Sequence, residues 1–122
     1  MLNRKEVHNS ETLNIQIDSH DQKSYLIELS KDCTKFDLNV ECLENSFSKF
    51  FILNHAESAC ELNINMVLKQ DANCQMGVLD LEKSPLKWNH YVDLKEQGAE
   101  YEILSGQLCQ EHIEKVCDME VR

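Results

Sequence analysis

The feature that most constrains this chain is a succession of short stretches in which apolar and polar residues alternate. Apolar runs begin near Leu13, Tyr25, Phe36, Phe50, Cys60, Ala72, Trp88, Ala99 and Ile113, ten to sixteen residues apart. Period-two alternation puts every second side chain on one face of an extended chain, so each run reads as a half-buried β-strand. The cleanest in the first half is Phe36, Leu38, Val40 and Cys42, whose opposite face carries Asp37, Asn39 and Glu41. No 3.6-residue stripe is long enough for a helix. Nine runs at near-even spacing predict an all-β domain.

Turn chemistry separates two architectures. An antiparallel sandwich recruits glycine and proline for its hairpins, and this sequence has three glycines and one proline. A β-solenoid turns its corners with Asn, Asp and Ala, and two runs per coil give coils of about 24 residues, within the range of solenoid repeats. The predicted fold is therefore a short, truncated β-solenoid over residues 11–122, with the antiparallel β-sandwich as the alternative. Residues 1–10, polar and of mixed charge, are expected to be a flexible N-terminus. Pro85, after Lys83 and Ser84, marks the widest loop.

A chain of 122 residues is about one domain's worth and can bury a core unaided. Its first twenty residues lack the apolar centre of a signal peptide, and no window approaches a membrane span, so a cytoplasmic protein is expected. A formal charge of -10 disfavours attraction to phosphate backbones and anionic lipid, which argues against nucleic-acid or membrane partners. The acidic residues are spread along the chain and read as a solvated face.

Six cysteines without an export signal read as free thiols. None lies within seven residues of another, so the close ligand spacing of a structural zinc site is absent. Cys42, Cys60, Cys74 and Cys117 are in phase with apolar neighbours and are expected in the core. Cys33 and Cys109 fall at turns and are expected to be exposed. Cys109 and His112 are the nearest approach to a soft metal-ligand pair and the weak candidates for one, although residues three apart on an extended chain face opposite sides. His90 shares the face of Trp88 and Val92 and reads as a hydrogen-bonded core residue, and His55 reads as turn chemistry. No nucleophile elbow, zinc-protease helix or phosphate-cradling glycine loop occurs. Glu100 and Glu102 face the same way, with nothing around them to separate two pKa values. The expectation is a protein that is not an enzyme, with no catalytic or cofactor-binding residue.

One stretch resembles a known family. Val92 to Gly106 reads V-D-L-x-x-x-G-A-E-Y-E-I-L-S-G and is followed by a polar linker and a charged strand. It is similar to the core of the SufB/SufD family, scaffold subunits of iron–sulfur cluster assembly in the SUF system. There a glycine-alanine-acidic turn ends one rung of the helix and an apolar strand begins the next, as Gly98, Ala99 and Glu100 would do here. Phe51 to Met76 also resembles the family's rungs, and the likeness covers roughly Ile15 to Arg122. It implies a right-handed parallel β-helix and an accessory role resembling SufD, acting through protein–protein interaction. It further implies an iron–sulfur cluster only within a complex, and as partners a second copy or a SufB/SufD-type subunit with an ABC-type ATPase. Family members are much longer, and their reactive cysteine and histidine lie in a C-terminal half with no counterpart here, so no site residue carries over. A solenoid end without a cap leaves strand edges or core open, and the last rung is expected to need a partner or a plug of bulky side chains. The remaining alternative is an all-β module binding a sugar, peptide or protein.

Overall fold

The computed structural model describes residues 2–80, 86–94 and 96–103 and the backbone of 115–121, with backbone alone at Asp80 and Leu86. These residues form ten strands: β1 (Leu2–Val7), β2 (Ser10–Ile17), β3 (Gln22–Leu29), β4 (Lys35–Cys42), β5 (Phe47–Asn54), β6 (Cys60–Leu68), β7 (Asn73–Asp80), β8 (Leu86–Asp93), β9 (Glu100–Ile103) and β10 (Lys115–Val121). Odd strands make one sheet in the order β1-β3-β5-β7-β9, and even strands the other, β10-β8-β6-β4-β2. Every described pairing is parallel. The fold is a β-solenoid of about four turns. Side-chain bonds between successive coils span 25 to 27 residues, slightly more than the expected coil.

The core follows from alternation plus register. On the even sheet Leu38 stacks on Ile64 and Val40 on Met66, and on the odd sheet Ile27 stacks on Ile52 and Ile52 on Val78. All are buried. Each such aliphatic side chain contributes about 1.5–3 kcal/mol through the apolar surface it removes from water. Tyr25 and Phe50 stack in the same way, with ring centroids 5.0 Å apart and planes 4° from parallel.

One corner of the coil repeats in detail. His20, Asn45, Asp71 and Gly98 all take positive φ, 63°, 59°, 58° and 76°. The amide of each of the first three donates to a carbonyl of the next coil: His20 to Glu44, Asn45 to Gln70 and Asp71 to Gln97, at 3.0–3.1 Å. Residues that tolerate the left-handed region are needed here, and Asn, Asp and Gly are the usual ones. The Gly98-Ala99-Glu100 turn singled out in the sequence is this corner in the fourth coil.

Two expectations need correction. Residues 2–7, expected as part of a loose terminus, form β1, in which Val7 is buried and the Asn3 amide donates to the Ser24 carbonyl at 3.2 Å. The alternation was hidden because two inward positions of this strand are polar: Asn3 lies in register with Tyr25 and Lys5 with Ile27. Cys33, expected at an exposed turn, is fully buried, because the corner between β3 and β4 turns this side chain inward. The Pro85 loop lies outside the described residues.

Candidate functional site

The even sheet turns a polar face outward. Its exposed positions stack by the same register as the core, so like lies on like. In one column Asn89 donates to Asn63 at 2.8 Å and Asn63 to Asp37 at 2.7 Å. In the next, Asn65 donates to Asn39 at 3.0 Å and Asn39 to Asn14 at 2.9 Å. A side-chain amide has two N–H groups and a carbonyl with two lone pairs. A ladder bond on each side consumes one of each, which leaves Asn39 a donor and an acceptor for solvent or a ligand, whereas Asn63 gives its second N–H to Glu61 at 2.8 Å and keeps an acceptor alone. Shallow troughs run beside the columns, one lined by Asp37, Asn63, Asn89 and Tyr91, another by Gln16, Asn39, Glu41 and Asn65.

The odd sheet differs. Its outward positions include Leu26 in register with Phe51, and Leu53 in register with Leu79. Phe51 and Leu79 are each 40% exposed. The solenoid thus presents one hydrogen-bonding face and one with an apolar strip.

At the β1–β2 end the stack closes on charge. Glu11 is in register with Phe36 and Lys5 with Ile27, which puts both at core-facing positions of the first coil. Their side chains pair across the end at 3.4 Å. An inward-directed charge on an edge strand disfavours edge-to-edge pairing.

Towards the other end the core becomes polar. His90, 3% exposed, bonds through Nε2 to the Tyr101 hydroxyl, bears out the reading of a hydrogen-bonded core histidine, and meets that ring edge-on. Burial holds the His90 pKa down at about 4 and pushes that of Tyr101 up, so a neutral imidazole faces a protonated phenol. Among the described residues, His90 Nδ1 and the neighbouring Trp88 Nε1 are buried with no hydrogen-bond partner. A buried polar atom left without a partner costs stability, and two lie side by side here.

The cysteines expected inside are inside: Cys42, Cys60 and Cys74 are buried. The Cys117 and Cys109 side chains and His112 lie outside the described residues, so the weak metal pair does too. Glu100 and Glu102 are exposed on β9, and the Asn73 amide donates to Glu100 at 3.1 Å. His55 follows β5 as a turn residue and pairs with Glu28 at 3.4 Å. Among the described residues no group of three or more His, Cys, Asp or Glu is placed to hold a metal, and no helix is long and apolar enough to cross a membrane. The amide columns were present in the sequence as polar alternates of the apolar runs, but recognising them required the 26-residue register.

The described residues define a parallel β-solenoid whose two outer faces are its polar and apolar surfaces. The sequence matches no family model, no curated protein and no solved structure.

Proposed function

We propose that this protein is a non-catalytic scaffold or accessory subunit of SufB/SufD type in iron–sulfur cluster assembly, working by association with other proteins. The observation that carries the reading is the fourth-coil corner. Gly98 and Ala99 turn the chain from β8 into β9 with Glu100 first in the new strand, the role that the resemblance gives to a glycine-alanine-acidic turn. The stacked parallel coils supply the rigid, extended surface such a scaffold needs. Its partners are a longer SufB/SufD-type subunit with an ABC-type ATPase, or a second copy, and any cluster is held by the complex. Tagged chain captured from its native cells tests this: a SufB/SufD-type subunit and the ATPase should co-purify in stoichiometric amount. Recovery of the chain alone, under conditions that preserve the ATPase complex, would refute the reading.

The amide columns favour a second reading, an all-β module that binds a sugar or peptide across the even sheet. Substituting Asn63 and Asn89 with Ala while leaving partner capture intact would assign those columns to stacking, whereas loss of a saccharide or peptide ligand would assign them to binding.

A further inference from the structure

We propose that Cys33 and Cys60 form a site of covalent modification, closing to a disulfide that staples two successive coils. The inference is independent of the scaffold reading. The two sulfurs are 3.8 Å apart, Cys33 fully buried and Cys60 3% exposed. They meet because the register brings them there: Lys35 pairs with Glu61, and the Glu61 amide donates to the Thr34 carbonyl at 2.9 Å. Cys60 therefore stands opposite Thr34, one residue along from Cys33. Neighbouring strands lie about 4.8 Å apart and one residue advances about 3.3 Å, which puts the two Cα atoms about 6 Å apart. Disulfides bridge Cα separations of about 4.4–6.8 Å. Both side chains already point into the same corner of the core, so bond formation needs side-chain rotation and no change of register.

The pair is also chemically asymmetric. The Cys60 thiol donates to the Cys33 sulfur. That bond lowers the pKa of Cys33 and, with burial, raises that of Cys60. A thiolate is the nucleophile in such chemistry, which gives Cys33 the attacking role and Cys60 the resolving one. The oxidant is a small peroxide. The Cys33 thiolate attacks one peroxide oxygen, the O–O bond breaks, hydroxide leaves, and Cys33 becomes a sulfenic acid. The Cys60 sulfur then attacks the Cys33 sulfur, the S–O bond breaks, and the departing hydroxide takes the Cys60 proton as water. In sum two thiols lose two electrons and two protons, and one peroxide becomes two waters.

Cys42 and Cys74 are the internal control. They also interact through their thiols, but they belong to facing sheets, β4 and β7, and Cys42 additionally contacts the Ser48 hydroxyl at 3.6 Å. The ring closed between Cys33 and Cys60 spans one coil, a separation of 27 residues. Cross-linking a ring of that size restricts the unfolded chain, so oxidised protein should melt higher than reduced protein, by roughly 5–15 °C.

Treating the reduced full chain with hydrogen peroxide, blocking remaining thiols and digesting with trypsin tests the assignment. Trypsin isolates Cys33 in the tetrapeptide 32–35 and Cys60 in the peptide 50–69. The expected result is one cross-linked species joining these peptides, with the predicted rise in melting temperature reversed by dithiothreitol. Cys33→Ala and Cys60→Ala should each abolish both, and Cys42→Ala should leave both. Recovery of Cys33 and Cys60 as blocked free thiols, a different cysteine pair, or a cross-link that lowers the melting temperature would each overturn the proposal. Because mapping is done on the unsubstituted chain, the answer does not depend on any variant folding.

Discussion

At the scale of single residues, the fold is most exacting where the coil turns. Gly98 has φ of 76°, and a Cβ there would stand 1.9 Å from the Asp71 Oδ1 of the preceding coil. Gly98→Ala therefore meets both a left-handed backbone and a side chain in its path, and should destabilise the protein by about 1–3 kcal/mol in urea denaturation. Asn45→Gly, at the equivalent corner two coils earlier, should be tolerated within about 1 kcal/mol, since glycine adopts that φ without strain. His90 makes a second test. Its pKa lies below the ordinary histidine value, at about 4, because burial disfavours the imidazolium. The unfolded chain thus binds more protons between about pH 6.5 and 4, so stability contributed by the neutral ring is present above pH 6.5 and is lost as pH falls towards 4. The loss should reach about 3 kcal/mol. His90→Gln, which keeps a partner for Tyr101 but does not titrate, should flatten that slope in thermal melts taken across the window.

At the scale of elements, the strands are held by columns that run across coils and not along the sequence. Asn63 is the middle rung of one such column, bonded to Asp37, Asn89 and Glu61. Asn63→Ala should cost about 1–2 kcal/mol in chemical denaturation, more than Asn14→Ala, whose side-chain bond with Asn39 is at the end of its column. The strands also show why some of the fold was readable and some was not. β4 alternates without exception and β6 with one, the outward Val67, so Phe36 to Cys42 and Cys60 to Leu68 declare both their conformation and their inward face. β5 places Ser48 and Asn54 inside and Phe51 outside, and in sequence it is reduced to the apolar run Phe50 to Leu53. β1 has no apolar inward residue before Val7, so its period is invisible. The Cys33 corner fails for a different reason: alternation fixes the facing of strand residues, but a corner residue faces wherever its backbone turns it. Gly98-Ala99 was legible because glycine advertises a left-handed turn. His20 at the same corner does not, and only the stack equates the two.

At the scale of the whole molecule, the solenoid is closed at one end by chemistry that works against association. Lys5 and Glu11 occupy core-facing positions of the first coil and pair across it at 3.4 Å. An exposed pair of this kind adds little to stability. Replacing both with Val should leave the melting temperature nearly unchanged but expose an apolar end, and sedimentation velocity should then show concentration-dependent assembly beyond that of the parent chain. Unchanged sedimentation would mean that the charges do not protect this edge. The polar and apolar outer faces divide the remaining surface, and the proposed accessory role would place the apolar strip around Phe51 and Leu79 against a partner.

The coils stack in parallel with a 26-residue register between β4, β6 and β8. Backbone nuclear Overhauser effects measure that register directly. The predicted result is a set of cross-strand contacts linking Phe36 with Leu62 and Leu62 with Trp88, and Leu38 with Ile64 and Ile64 with His90, running in the same direction along each strand. Contacts joining sequence neighbours such as β3 and β4, or β5 and β6, in antiparallel order would contradict the solenoid, and with it the corner that supports the proposed function.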